Sequence, residues 1–223
     1  MHKIRLFLTL LLISCPLILS AQGDRINVGL RTGHNTTFGG FAAVSVEATQ
    51  TLCGNLAVNG GLQYNTIGKT AIEARPTYGI PLKRGRISVE CLLTYTNLSS
   101  INNFTAGAGA TLDSKYLSFR CGYYYRLYSN QGGKIKEPFN IYYELRAHLL
   151  QKIDNWNLDL VITTCEAFEL ERHYQPSYIA EASFNPTSRF EISFGIGCKP
   201  SGAFNMSADY YQSYLKTGVC YRW

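Results

Sequence analysis

Charged side chains recur at alternate positions in several strand-like segments of this 223-residue chain. Side chains on a β-strand alternate between its two faces, so charges two residues apart share a face. The candidate site consists of Glu73, Arg75, Glu90, Arg120, Glu144, Arg146 and Glu181. If these side chains face a common interior, they line a narrow pore that selects solutes by size and charge, or they pair and close it. In the second case the three arginines pair with Glu73, Glu90 and Glu144 and restrict the passage. The sequence leaves both alternatives open.

The segments that carry these charges repeat one pattern, in which about ten residues of alternating polarity precede a turn. Six segments would run in one direction, near 25–33, 55–66, 86–97, 116–127, 155–164 and 189–199. Six would run in the other, near 41–50, 70–80, 102–112, 138–150, 176–184 and 213–223. A tilted membrane-spanning strand needs roughly 9–11 residues. The pattern predicts an all-β fold, a single closed antiparallel transmembrane β-barrel of about 12 strands, with 10 or 14 as alternatives.

The other face of each predicted strand is apolar, and its aromatic residues sort by height. One rim would carry Trp156, Phe184, Phe190, Tyr221 and Trp223, and the opposite rim Tyr64, Tyr95, Tyr123, Tyr125 and Tyr178. Two aromatic belts are typical of a lipid-facing surface, whereas a soluble β-sandwich does not need them. Pro76 interrupts one apolar face, and we expect a bulge or a shortened strand there because proline cannot donate a ladder hydrogen bond.

The predicted connections differ between the two ends of the strands. One set consists of short turns, and the other includes longer loops at 129–137, 165–175 and 200–212. Short periplasmic turns and longer outer loops are expected of such barrels. Twelve tilted strands would close into a backbone cylinder roughly 24 Å across, which inward side chains fill to a narrow channel at most.

The N-terminus predicts a secretory signal peptide. Lys3 and Arg5 precede an apolar run at residues 6–19, followed by Ser20-Ala21-Gln22, so we expect cleavage between Ala21 and Gln22. The run is shorter than the roughly 20 residues of a membrane helix. An uncut anchor and a lipid on Cys15 are the alternatives. The predicted domains are a signal peptide at 1–21 and a barrel at 22–223.

The composition excludes several classes of protein. The formal net charge is +6, and no basic run or clustered basic face indicates nucleic-acid binding. Six of the seven Cys lie outside the signal. Cys91, Cys121 and Cys198 fall on apolar faces, where cysteine acts as a small hydrophobic residue. No CxxC or Cys/His spacing predicts a zinc site, and we expect no cofactor.

The C-terminal segment carries the most specific pattern. Leu215, Thr217, Val219, Tyr221 and Trp223 share one face of the last strand. The pattern resembles the closing strand of bacterial outer-membrane β-barrels, and the chain resembles the small, mostly uncharacterised outer-membrane β-barrel proteins of Bacteroidetes-type bacteria. The resemblance implies that Tyr221 and Trp223 form the signal read by the barrel-assembly machinery. It also implies a location in the outer membrane after cleavage of the signal.

The function expected from these features is non-enzymatic, namely a narrow pore for small solutes. A closed structural or partner-binding barrel is the alternative, and a lipid-modifying enzyme is a weaker one. Such an enzyme would need a Ser and a His on the lipid face near the outer rim. His34, His148 and His173 are the histidines available, and no Gly-x-Ser-x-Gly or His-x-Ser occurs. The expected partners are outer-membrane lipid, the assembly machinery, and small solutes or surface glycans.

Overall fold

A computed structural model describes residues 25–37, 39–98, 101–130, 133–153, 155–166, 169–170, 176–200 and 210–223, and fourteen β-strands make up most of these described residues. The strands are β1 (Arg25–Asn35), β2 (Gly39–Cys53), β3 (Leu56–Asn65), β4 (Lys69–Leu82), β5 (Gly85–Leu98), β6 (Ile101–Ser114), β7 (Leu117–Asn130), β8 (Gly133–Ile153), β9 (Trp156–Thr163), β10 (Cys165–Glu166), β11 (Glu169–Leu170), β12 (Ser177–Phe184), β13 (Phe190–Pro200) and β14 (Tyr210–Arg222). The predicted signal peptide lies outside the described residues and stays a prediction.

Twelve of these strands form one closed antiparallel barrel. Each strand pairs with its neighbour in the chain, except that β9 pairs directly with β12 and that β10 and β11 form a separate hairpin. The barrel closes where β1 pairs with β14, from Arg25↔Arg222 to Asn35↔Gln212. The predicted fold class, a closed antiparallel barrel of about 12 strands, is confirmed. Within the described part of the chain, no helix is long and apolar enough to cross a membrane.

The two ends of the barrel are named here by their connections. The turn end carries Arg25, Arg222 and five connections of two to five residues. The loop end carries four connections of two or three residues and the two long connections between β9 and β12 and between β13 and β14.

The strands keep the predicted alternation of faces. On β13, Phe194 and Ile196 are exposed while Gly195 and Gly197 are buried. On β14, Leu215 and Val219 are exposed on the outside. Exposure of such a continuous apolar outer face to water is unfavourable, whereas contact with lipid stabilises it.

Pro76 is accommodated differently from the prediction. β4 continues through Pro76, which is paired with Val58 on β3. Toward β5 the ladder has no pairs at Arg75 and Pro76 and resumes at Thr77↔Glu90 in the register of Ala74↔Leu93. The expectation of a bulge or a shortened strand is therefore wrong, because the strand loses two pairs on one side only and keeps its register.

The predicted loop at 129–137 is largely strand. β7 and β8 stay paired up to Asn130↔Gly133, with one register shift between Tyr124 and Arg126. The connection between the two strands is therefore two residues long. The polar composition of this segment hid a paired ribbon, which extends past β9 on one side and stays paired with β6 on the other, up to Asn102↔Ser129.

The wall of the barrel is consequently uneven in height. β8 has 21 residues and β9 has eight. Their pairing stops at Glu144↔Thr163, beyond which the Thr164 N–H donates to the Tyr143 carbonyl at 2.9 Å. Between residues 133 and 142, no described barrel strand is paired with the edge of β8 that faces β9.

Aromatic side chains cluster at the turn end on the β9–β14 side, as predicted. The Trp156 and Phe184 rings lie 4.9 Å apart, and the Phe190 and Tyr221 rings lie 5.0 Å apart. Tyr221 also stacks on Trp223 with a centroid distance of 5.9 Å. Whether Tyr221 and Trp223 act as an assembly signal stays a prediction.

Candidate functional site

The lumen contains a polar cavity of about 760 Å³. Its described lining includes seven Arg and Lys side chains, which are Arg25, Arg31, Arg75, Arg86, Arg120, Arg146 and Lys216. It includes five acidic side chains, which are Glu47, Glu90, Asp113, Glu144 and Glu181. The cavity begins at the turn end beside Arg25 and Arg86, and its far side is formed by Thr163, Cys165 and Tyr214. The lining therefore carries a surplus of two positive charges at neutral pH.

The structure brings the seven residues of the predicted site together on the inner wall. Six of them line the cavity, and Glu73 is buried beside it. Each of the three arginines pairs with the acidic residue expected for it. Arg75 donates to Glu73, the Arg120 Nε donates to the Glu90 Oε1 at 2.6 Å, and the Arg146 Nε lies 3.5 Å from the Glu144 Oε1. Pairing offsets the cost of removing these charges from water.

Arg146 is the centre of a larger network. Its Nη1 donates to the Asp159 Oδ2 at 2.9 Å and to the Glu181 Oε2 at 3.4 Å. The Lys216 Nζ also donates to Glu181, at 3.0 Å, and His148 Nδ1 lies 2.9 Å from the Asp159 Oδ1. This network joins β8, β9, β12 and β14 across the lumen wall. Its side chains are only partly buried, so a solute in the cavity can reach them.

Tyr142 is an important lumen residue that the sequence analysis missed. Its hydroxyl donates to the Glu90 Oε1 at 2.8 Å, although β8 and β5 are separated by β6 and β7. The ring crosses Gly122 and Gly109, where an added Cβ would lie 2.5 Å and 2.1 Å from Tyr142 atoms. The Arg120 guanidinium covers the ring at 5.3 Å from its centroid. The glycines thus leave room for the ring inside the barrel.

Two apolar clusters lie on the loop-end side of the cavity. One consists of Leu92, Tyr124, Tyr142 and Cys165, and the other consists of Val161, Ile179 and Tyr214 with Phe41 packed against it. Cys165 is only 5% exposed within the first cluster.

Polar side chains are buried beyond these clusters, nearer the loop end. Thr94, Thr105 and Arg126 are at most 8 % exposed. The Arg126 guanidinium lies 4.9 Å from the Tyr124 ring centroid and donates to the Tyr128 hydroxyl at 2.7 Å. Among the described residues, the cavity thus lies toward the turn end, and buried side chains fill the lumen toward the loop end.

A serine and a histidine lie side by side on the outer face near the loop end. His34 on β1 is paired with Ser213 on β14, and this is the arrangement that the enzyme alternative requires. No hydrogen bond joins the two side chains in the described structure. The residue opposite His34 on β2 is Gly40, which has no side chain to orient the imidazole. Nucleophilic catalysis needs a base that is both bonded to the nucleophile and oriented by a third group. His148 is paired inside the lumen, and His173 lies outside the described residues.

The described cysteines are all free. Cys91 and Cys198 are exposed on the outer face and Cys121 is half-buried there, where they were predicted.

No protein-family model matches the chain, and no curated protein matches it. Several solved structures match the chain in fold. The KdgM porin in complex with disordered oligogalacturonate aligns with a TM-score of 0.59 and 12% identity, over 89% of this chain and 99% of that one. The NanC porin aligns with a TM-score of 0.56 and 11% identity, over 90% of this chain and 100% of that one. The translocator domain of the autotransporter NalP from Neisseria meningitidis aligns with a TM-score of 0.59 and 12% identity, over 100% of this chain and 96% of that one.

These similarities concern the fold. The chain has the fold of small outer-membrane β-barrels, and the sequence resemblance to that class is supported. The bacterial group stays a prediction.

Proposed function

We propose that this protein is a non-enzymatic outer-membrane β-barrel that passes small polar solutes through its lumen. One observation carries the proposal, which is that the closed barrel encloses a cavity of about 760 Å³ lined by charged side chains. A barrel that served only as a membrane anchor would have no need of so many charged residues at positions open to solvent. The turn end faces the periplasm in this proposal, because the two long connections are at the opposite end.

The arrangement of charge supports only weak selection by sign. The lining has two more cationic than acidic side chains, but Glu73 and Asp159, beside the lining, pair with Arg75 and Arg146, so a solute meets a nearly balanced surface. Charged groups on a narrow wall select by sign as well as by size. We therefore expect solutes that are small and polar, with little selection by the sign of their charge.

The narrow part of the path lies at the first apolar cluster. Tyr142, Tyr124 and Leu92 are fully buried there, and the Arg120–Glu90 pair lies on the cavity side of them. Solute passage requires this layer to admit water. Its tight packing is the specific observation that favours the second candidate function, a closed barrel that presents a periplasmic cup to a ligand or partner.

Single-channel recording separates the two candidates. The protein without residues 1–21 is refolded, its heat-dependent gel mobility is confirmed, and it is inserted into a planar bilayer. Steady conductance steps with weak ion selectivity would support the pore. Correctly folded protein that gives no steps would contradict it and favour the closed cup.

A further inference from the structure

Three basic residues occupy neighbouring turns at the turn end. Lys83 and Arg84 form the turn between β4 and β5, and Lys115 begins the turn between β6 and β7. All three are exposed. We call this group the basic sector. The nearest acid along the chain, Asp113, lines the lumen and accepts a hydrogen bond from the Ser118 hydroxyl, so its carboxylate is directed away from the outside of the barrel.

The turn that holds Lys115 is well ordered by hydrogen bonds. The Ser114 hydroxyl donates to the Leu117 carbonyl at 2.7 Å and accepts from the Leu117 N–H at 3.2 Å. The Tyr116 carbonyl accepts from the His148 N–H at 2.9 Å. The Lys115 ammonium lies 5.1 Å from the centroid of the Tyr116 ring. A ligand would therefore meet a preorganised surface, which lowers the entropic cost of binding.

The basic sector adjoins the apolar outer surface. Leu82 and Leu117 flank the two turns on the outward face and are 46% and 45% exposed. In a membrane, these leucines contact acyl chains at the edge of the hydrocarbon layer. The cationic groups one or two residues away then lie at the level of the lipid headgroups, as long basic side chains do at membrane interfaces.

The opposite side of the turn end is built differently. There the aromatic cluster of Trp156, Phe184, Phe190 and Tyr221 covers the rim. Arg222 is on the inner face, where it is paired with Glu191, and Arg189 is an exposed cation in the turn before Phe190. The β4–β7 side differs in carrying three exposed basic residues on two adjacent turns.

We propose that the basic sector binds the phosphate of an anionic phospholipid in the leaflet at the turn end. Lysine and arginine side chains bind phosphate through charge-assisted hydrogen bonds, and the flanking leucines hold the acyl chains of the same molecule. The inference rests on the proposed membrane embedding of the barrel and adds to it a lipid site with a defined position.

The test uses matched variants of the refolded protein in zwitterionic micelles. Native mass spectrometry measures the retention and affinity of phosphatidylglycerol, with phosphatidylcholine of the same acyl chains for comparison. The variant K83Q/K115Q removes two charges from the basic sector. The control K134Q/K136Q removes two charges from the exposed residues of β8 at the loop end. A third variant, K83R/K115R, keeps the charge.

We expect K83Q/K115Q to bind phosphatidylglycerol about thirtyfold more weakly, since the variant loses two basic residues near the anionic headgroup. K134Q/K136Q and K83R/K115R should bind as the original protein does. Equal affinity of K83Q/K115Q and the original protein would overturn the proposal. So would an equal loss in K134Q/K136Q, or displacement of the lipid by free glycerol 3-phosphate at the same concentration.

A separate measurement distinguishes failure of this inference from failure of the proposed function. Heat-dependent gel mobility in pure phosphatidylcholine vesicles reports whether the barrel inserts at all. If it inserts and the variants do not differ, only the lipid site is wrong. If none of the variants or the original protein inserts in any vesicle, the membrane embedding is wrong, and the lipid site with it.

Discussion

The Tyr142 hydroxyl donates a hydrogen bond to the Glu90 carboxylate across two intervening strands, at 2.8 Å. The same carboxylate oxygen accepts from the Arg120 Nε at 2.6 Å. Glu90 on β5 is thereby hydrogen-bonded to residues of both β7 and β8. The contact is possible because Gly109 and Gly122 leave room for the ring, so four strands of the wall behave as one mechanical unit.

Two substitutions of Tyr142 should lower the stability of the barrel by different amounts. Y142F keeps the ring and removes a hydrogen bond to a charged acceptor, which should lower the free energy of unfolding by about 1.5–3 kcal/mol. Y142A also removes the buried ring and should lower it by about 3–5 kcal/mol. Urea-induced unfolding in lipid vesicles measures the free energy of unfolding of both variants. Y143F, on the outer face of the same strand, is the control and should change stability little; equal effects of Y142F and Y143F would contradict the assignment.

Gly197 offers a second test of ring-over-glycine packing. A Cβ at this position would lie 2.1 Å from the Tyr214 ring, so G197A should displace the ring and destabilise the barrel by about 1–3 kcal/mol. In the background of Y214A the same substitution should cost less, because the clash is gone. G40A is the control, since a Cβ at Gly40 would have no atom within 4 Å. Additive effects in the G197A/Y214A double variant would refute the clash.

Removing the paired arginines should widen the lumen and change its selectivity. R120A and R146A each delete a long side chain from the cavity wall and leave carboxylates behind, so conductance should rise and selectivity should shift toward cations. Single-channel currents and reversal potentials under a salt gradient measure the two effects. R189A, on an exposed turn, is the control. Unchanged conductance in folded R120A and R146A would show that these pairs do not restrict the passage.

The outward pair of His34 and Ser213 should be catalytically inert. Without an orienting group on Gly40 and without a bond between the two side chains, the serine is not activated. Purified protein in mixed micelles should release no fatty acid from phospholipid or lipopolysaccharide above the rate of S213A. Release that S213A and H34A both abolish would establish the enzyme alternative instead.

Much of the barrel could be predicted because its physical requirement repeats in every strand. Alternating sets such as Ile87, Val89 and Leu93 follow from lipid on one side and a polar lumen on the other, and the structure has them in that arrangement. The ribbon at the top of β7 and β8 was missed because it lies outside that requirement. Its residues from Gly133 to Glu137 are too polar to predict burial, yet they are paired strand.

The role of Tyr142 could not be read from the sequence for a different reason. It depends on the register of β6, β7 and β8, which places Gly109 opposite Gly122 and Gly122 opposite Tyr142. Inward glycines in two successive strands, followed by an inward tyrosine, are the signal that could have found it. The pairing of the arginines could be predicted from the sequence, because partners such as Arg75 and Glu73 are two residues apart on one face of a strand.

The step in the wall between β8 and β9 has a consequence for how copies of this protein meet. From 133 to 142, the β9-facing edge of β8 has backbone groups that no described barrel strand pairs with. Such an edge is a template for joining another chain edge to edge. Lys134 and Lys136 are exposed on this stretch, and Pro138 lacks an N–H. Charge repulsion and the missing donor both oppose strand addition, so the tallest part of the wall is also the part that resists aggregation.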